Sequence, residues 1–172
     1  MGSLLIVGSL ILLSQLVSLP APALDRVDDW QVEARAGLDK AVEYLMAHQE
    51  EDGAFGHWRN PLSPDDKNWM VPEQHLAFQV AITGISCVTL MDLGAGLPEG
   101  GEEALERALD NICEKGRRKR IDNWDTDNLW GYVYVLEAVA RALAEPESRF
   151  GSERRARLRH LGEDLIVTLG NY

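Results

Sequence analysis

The densest group of chemically active side chains in this sequence is the segment Asp122-Asn123-Trp124-Asp125-Thr126-Asp127-Asn128. It places three carboxyl groups and an indole ring just before a long apolar stretch. A carboxyl group in that position commonly caps the helix that follows, because it accepts hydrogen bonds from free backbone amides. Such a cap contributes about 1 kcal/mol. Asp125 or Asp127 therefore has a purely structural interpretation.

The histidines and cysteines do not form a metal-binding pattern. The sequence has neither a His-Glu-x-x-His pair nor a Cys-x-x-Cys pair, and its four histidines lie on separate predicted elements. We therefore predict no metal site, and the sequence identifies no cofactor. Cys87 and Cys113 lie inside apolar patterns and are expected to be buried. The sequence leaves open whether they form a disulfide, because it cannot place their Cα atoms.

Aromatic residues gather in two places, each with two interpretations. Trp124, Trp130, Tyr132 and Tyr134 surround the start of one predicted helix, and Trp58 and Trp69 lie in a long loop. Aromatic rings of this kind either fill a helical core or line a ligand site. In the loop, the two indoles either close over a ligand or pack the loop against the fold.

Hydrophobic periodicity predicts an all-α fold. We expect helices over residues 30–48, 72–93, 102–114, 127–144 and 152–169, with glycine and proline between them. The first helix carries a stripe that should form one buried face, consisting of Ala34, Leu38, Ala41, Leu45 and His48, widened by Tyr44. The second and fourth helices are apolar almost all round, so we expect both to be buried.

The segment from Lys40 to Phe55 carries a family resemblance. Lys40, Ala41, Tyr44, Leu45, Gln49 and Gly53 match the repeat shared by squalene and terpenoid cyclases and protein prenyltransferases, and Phe55 stands where tryptophan is usual. The resemblance implies an α/α toroid built of helical hairpins, with the second and fourth helices in its inner ring. Arg107, Ala108 and Ile112 repeat part of the pattern. The chain supplies about two and a half hairpins, fewer than a closed toroid needs, and resembles an N-terminal part of such a protein.

The same resemblance suggests a catalytic acid. Asp125-Thr126-Asp127-Asn128 is similar to the Asp-x-Asp-Asp motif of class II terpenoid cyclases, with Asn128 in place of the last aspartate. The resemblance implies that Asp127, two residues after Asp125 in the same motif, protonates an alkene or epoxide. Such an acid needs burial and hydrogen bonds that keep it protonated. The rings that would stabilise a carbocation are those of Trp124, Trp130, Tyr134 and Trp58.

The N-terminus predicts export. Residues 1–24 carry no charged side chain, Leu4 to Leu19 is nearly all apolar, and Ala21-Pro22-Ala23 fits a signal-peptidase site. The run is short beside the roughly 20 residues of a membrane-spanning helix. We expect a signal peptide over residues 1–23 and a toroid segment over 24–172, in the periplasm or outside the cell. An uncleaved membrane anchor is the alternative, because no lysine or arginine precedes the run.

Charge narrows the possible partners. The chain has 28 acidic and 17 basic residues and a net charge of −11, which disfavours binding to nucleic acid. An apolar small molecule or a protein partner remains possible. We expect a binding or scaffold segment without an active site. A cyclase-like enzyme acting on an apolar isoprenoid chain is the alternative. A third possibility is a polysaccharide-active enzyme that uses the loop carboxylates Asp65, Asp66 and Glu73.

Overall fold

A computed structural model describes residues 27–56, 72–117 and 128–171. Within these ranges the chain is helical and contains no strand, so the predicted all-α class is confirmed. The helices are α1 (Val27–Ala47), α2 (Pro72–Leu93), α3 (Gly101–Lys115), α4 (Asn128–Ala144), α5 (Glu147–Phe150) and α6 (Ser152–Gly170), with a 3-10 turn at Gly94–Gly96 after α2.

The predicted helix bounds agree closely with the structure. The helix predicted over 72–93 has those bounds, while α1 begins earlier than expected, at Val27. The short helix α5 was not predicted. It follows Pro146 and buries Phe150, and Gly151 then separates it from α6 with a φ of 69°. A glycine reaches that angle without the steric penalty that a side chain would bring.

Contacts divide the chain into two compact units, Met1–Lys40 and Ala41–Tyr172, and the boundary falls within α1. In the first unit the described residues are helical, and Arg35 forms an ion pair with Asp39 at 2.9 Å. The second unit contains α2 to α6 and the buried core.

Helices α2 and α4 lie side by side and run in the same direction. Gly131, early in α4, lies against Ala77, early in α2, while Arg141 pairs with Asp92 near the ends of the two helices. Their backbones approach closely at Gly84, where an added Cβ would lie 2.7 Å from the carbonyl oxygen of Tyr134. Only glycine permits this approach.

Helices α3 and α6 form a second parallel pair. Asp110 of α3 accepts hydrogen bonds from Arg154, early in α6, and Arg117, just after α3, pairs with Asp164 later in α6. Helix α6 is antiparallel to α4, because Arg155 near its start donates to the carbonyl oxygens of Ala142 and Glu145 at the end of α4. The chain thus forms two layers, α2 with α4 and α3 with α6.

The core of the second unit lies between these two layers. Its largest fully buried side chains come from both layers and from the residues after α1: Tyr132, Phe55, Leu90, Leu105, Leu109, Ile112, Leu158, Leu161 and Leu165. Tyr132 is 1% exposed, so this member of the aromatic group packs in the core. The amphipathic helix α3 supplies three of these side chains, Leu105, Leu109 and Ile112, from one face, as its sequence pattern predicts.

The predicted buried face of α1 is wrong. Ala41 and His48 are exposed, and Tyr44 is 65% exposed. Tyr44 instead stacks on His48, with ring centroids 3.9 Å apart. The side chain of α1 that enters the core is Val42, and Leu45 packs partly against it. Within the second unit, α1 therefore meets the core through Val42 and Leu45, while Ala41 and His48 of the predicted stripe stay exposed.

Among the described residues, one helical stretch is long and apolar enough to cross a membrane. It covers His75–Gly96, and 56% of its apolar 18-residue segment is buried inside the fold. The core helix of a soluble protein has the same length and composition, and α2 contributes buried side chains to the core here.

Candidate functional site

The turn after α1, residues 49–56, connects three helices, and we call it the Gln–Gly turn. The amide nitrogen of Gln49 donates to the carbonyl oxygen of Gly53 at 3.0 Å and to that of Ala104 in α3 at 2.8 Å. The Arg107 guanidinium donates to the side-chain oxygen of Gln49. One side chain therefore closes its own turn and attaches that turn to α3.

Gly53 and Asp52 bring the turn against the backbone of α3. Gly53 has a φ of 84°, and an added Cβ would lie 2.3 Å from the carbonyl oxygen of Arg107. The Asp52 carbonyl accepts from the Asn111 amide at 3.0 Å, and its carboxylate pairs with Lys115. Burial alone would raise the pKa of Asp52, but hydrogen bonds from Lys115 and the Ala54 amide outweigh it and lower that pKa.

The end of the turn attaches to α2. Phe55 is buried, and its backbone N–H donates to the Thr83 hydroxyl at 2.9 Å. Gln79 donates from its side-chain amide to the carbonyl oxygen of Gly56 at 2.9 Å. These contacts satisfy buried polar groups and hold the turn in place, so the Gln–Gly turn is a structural connector.

Of the seven residues quoted for the family repeat, four meet around this turn and three do not, since Ala41 is exposed as well. Gln49, Gly53 and Phe55 make the contacts above, and Leu45 packs beside them on the core. Lys40 and Tyr44 are exposed. The structure therefore brings together the part of the pattern that belongs to the turn.

Most of the proposed chemical residues lie outside the described residues. This applies to Asp125, Asp127, Trp124 and Trp58, and also to the loop carboxylates Asp65 and Asp66. Glu73 belongs to α2, but its side chain is outside the described part as well. The described α4 begins at Asn128, which is buried.

A row of large apolar side chains is exposed on the layer formed by α2 and α4. Trp130 is 53% exposed and Ile82 is 43% exposed. We define the α2–α4 face as the exposed side chains Phe78, Ile82 and Ile85 of α2 and Trp130 and Val133 of α4, together with the half-buried Tyr134. The face is an apolar surface that two adjacent helices of the second unit offer to a ligand or partner. Large apolar side chains are also exposed on α1 and α6, among them Trp30 and Val167.

Two of the predicted ligand-binding residues meet on this face. The rings of Trp130 and Tyr134 stack with centroids 6.0 Å apart and planes inclined by 16°. They are one helical turn apart on α4, which places both on the same side of the helix. Phe78, Ile82 and Ile85 were not identified from sequence, because α2 is apolar all round and its pattern does not show which side stays exposed.

Toward the carboxyl ends of the helices the same layer becomes polar. Asp92 of α2 pairs with Arg141 of α4, and Glu137 is exposed on α4 without an ion pair among the described residues. The surface therefore changes from apolar to charged along its length, and the Glu137 carboxylate is the charge named here that no ion pair offsets.

A second concave region lies between α3 and α6 and is charged. Burial alone would raise the pKa of Asp110, but hydrogen bonds from Arg154 and Arg157 outweigh it and lower that pKa. Arg117 pairs with Asp164. These ion pairs stabilise the packing of α6 on α3. Glu114 also lines the region and has no ion pair among the described residues.

The two cysteines are free thiols and are buried. Burial raises the pKa of both thiols, that of Cys113 to about 11. Since the thiolate is the nucleophile, neither is prepared for catalysis. Within residues 27–56, 72–117 and 128–171, no group of three or more histidine, cysteine or acidic side chains could hold a metal ion.

Comparison with known proteins found no matching family model, no similar curated protein and no similar solved structure. The function of the chain is therefore inferred from its residues and their geometry.

Proposed function

We propose that this chain is an exported helical-repeat protein that acts as a binding or scaffold segment, with the α2–α4 face as its binding surface. The observation that carries the proposal is the row of large apolar side chains exposed on two adjacent helices. Soluble monomers rarely expose a contiguous apolar patch without a use for it. Full burial of an exposed large apolar side chain contributes about 1.5–3 kcal/mol. Apart from Tyr134, the side chains of the face are 37–53% exposed, so covering each of them contributes a part of that amount, and covering several gives the driving force for binding.

The proposal includes a partial α/α toroid of about two and a half repeats, related to the terpenoid cyclase and protein prenyltransferase superfamily. Three features support it: two pairs of parallel helices, antiparallel packing between the layers, and a Gln–Gly turn attached to α3. In that arrangement α2 and α4 belong to the inner ring. Fold likeness alone does not carry an activity, so the face and its chemistry carry the functional part.

Binding of a neutral apolar dye, N-phenyl-1-naphthylamine, tests the face directly. We expect fluorescence enhancement with the native chain, and weaker binding after Ile82→Ser combined with Trp130→Ser. The matched control is Val167→Ser on α6, because Val167 is 64% exposed and lies outside the face. Equal dye binding by the face variant and the native chain would contradict the proposal.

A cyclase-like enzyme acting on an apolar isoprenoid chain is the second candidate. It is favoured by the stacked rings of the exposed Trp130 and the half-buried Tyr134, which are of the kind that stabilise carbocations. In this proposal Asp127 is the proton donor and Asp125 supports it. The test is product formation from squalene or a linear isoprenoid diphosphate by the native chain and by Asp127→Asn. A product that forms equally well with the variant removes Asp127 as the acid.

Export is proposed on the apolar N-terminal run and the small residues before Leu24. N-terminal sequencing of the protein recovered outside the cytoplasm should start at Leu24. An intact Met1 in the membrane fraction would instead support an uncleaved anchor.

A further inference from the structure

We infer that the partner recognised by the α2–α4 face is a basic amphipathic helix of another protein. This inference rests on the proposed binding function and specifies its partner. It follows from three observations on the described residues, namely the ridges of the face, its length and its charge.

The ridges of the face match the way in which helices pack. Phe78, Ile82 and Ile85 lie on α2 at spacings of four and three residues. On α4, Val133 and Tyr134 lie three and four residues after Trp130, so they are on the same side of that helix as Trp130. Two parallel helices with such ridges leave a shallow groove between them. A third helix fits this groove by packing its own apolar ridge into it.

The length of the surface suits a helical segment of several turns. From Trp130 to Arg141 the axis of α4 rises by roughly 16 Å, at 1.5 Å per residue. A helix of about 11 residues therefore covers the distance from the stacked rings to the ion pair. A small apolar molecule confined to the rings would leave the acidic end without a contact.

The charge of the surface selects a cationic partner. Glu137 is exposed and has no ion pair in the described part of the chain, and Asp92 shares its charge with Arg141. The negative end of the α2 dipole lies at this same end, whereas the terminal carbonyl oxygens of α4 already accept hydrogen bonds from Arg155. The whole chain carries a net charge of −11. A lysine or arginine one or two turns beyond the apolar stripe of the partner would be attracted here.

Two synthetic peptides of 18 residues test the inference. Both carry the same amphipathic leucine pattern, one with lysine and the other with glutamate on the polar face. We expect fluorescence anisotropy at 150 mM salt to show about ten-fold tighter binding of the lysine peptide, because its charge complements the acidic end. Ile82→Ser should weaken that binding, since it removes an apolar contact.

Two charge-reversal substitutions show whether the charge of the peptide is recognised at the α2–α4 face. Glu137→Arg should weaken binding of the lysine peptide several-fold. Glu163→Arg, an exposed acidic residue on α6 outside the face, changes the net charge equally and should leave the affinity unchanged. Equal weakening by the two reversals would mean that the peptide responds only to overall charge, and this would overturn the inference.

The outcomes separate this inference from the proposed function. If both peptides bind with equal affinity and Ile82→Ser weakens both, the partner is not basic, but the face still binds a helix. Dye binding without binding of either peptide overturns the helical partner and favours an apolar small molecule. Absence of binding by dye and peptides overturns the proposed function itself.

Discussion

Gly53 is the residue at which the turn after α1 touches the backbone of α3. Its φ of 84° and the 2.3 Å approach of a Cβ to the Arg107 carbonyl oxygen both require glycine. Gly94 also has a positive φ, of 49°, but nothing lies within 4 Å of its Cβ position. Substitutions at the two glycines therefore distinguish the cost of backbone strain alone, at Gly94, from that of strain with a steric conflict, at Gly53.

We predict that Gly53→Ala destabilises the protein more than Gly94→Ala. Each substitution costs about 1–2 kcal/mol for the left-handed backbone. Gly53→Ala adds a steric conflict with α3 of about 1–3 kcal/mol. Urea unfolding followed by circular dichroism measures both. Equal losses would show that the turn does not press against α3 as closely as the contact implies.

At the residue scale, the sequence identifies the turn but not its partners. The spacing of Gln49, Gly53 and Phe55 indicates a helix end followed by a buried aromatic ring, because glycine and short-range hydrogen bonds have local signatures. The partners Ala104 and Arg107 are 55 and 58 residues away from Gln49 in sequence. A pairing over that distance depends on how whole helices pack, which no local pattern encodes.

The crossing of α2 and α4 depends on small residues. At Gly84 an added Cβ would lie 2.7 Å from the Tyr134 carbonyl oxygen, whereas at Gly170, at the end of α6, nothing lies within 4 Å. We predict that Gly84→Ala forces the helices apart and lowers the free energy of unfolding by about 1–3 kcal/mol. Gly170→Ala is the control and should be neutral or slightly stabilising. Thermal and urea unfolding of the two variants would show the difference, and equal stability would contradict the close crossing.

The contact of α6 with α3 predicts a specific dependence on pH. The pKa of Asp110 is lowered in the folded state by Arg154 and Arg157. The stabilisation is therefore present above the ordinary pKa of aspartate, about 3.9, and is lost as the pH falls through the lowered value. Asp110→Asn should reduce stability at pH 7 and should flatten its decline below pH 4.

Unfolding in urea at several pH values measures this effect. The control is Glu163→Gln, since Glu163 is exposed on the same helix as Arg154 and has no ion pair among the described residues. If the free energy of unfolding declines as steeply below pH 4 in Asp110→Asn as in the native protein, then Asp110 does not cause the decline.

At the element scale, helix bounds were predictable and helix faces were not. Pro72 opens α2 and Gly94 follows it, so its bounds come from residues with strong local preferences. The exposed side of α2 has no such signal, because apolar residues surround the helix. For α1, regular spacing suggested a buried stripe, but Ala41 and His48 are exposed. Periodicity identifies an apolar stripe, whereas its burial depends on a neighbouring helix.

For the whole molecule, the thiols report on the integrity of the second unit. Cys87 and Cys113 are buried and free, and burial raises the pKa of Cys113 to about 11. We predict that neither reacts with 5,5′-dithiobis(2-nitrobenzoic acid) within minutes at pH 8, while both react at once in concentrated urea. Two protected thiols that remain unreactive after unfolding would indicate a disulfide instead.

The sequence predicted the class of the whole molecule but did not place its candidate acids. The all-α class followed from periodicity, and net acidity argues against a nucleic-acid partner. Asp125 and Asp127 lie outside the described residues, so their chemistry stays a prediction. The α2–α4 face is visible only once two distant helices are placed side by side.

The Gln–Gly turn also has a consequence for the order of events during synthesis. Its hydrogen-bond partners on α2 and α3 lie between 23 and 63 residues further along the chain, from Gln79 with Gly56 to Lys115 with Asp52. On the ribosome, residues 49–56 emerge well before those partners. The nascent chain must therefore keep Phe55 unburied until α3 has emerged, which makes this interval the natural point for a chaperone to bind.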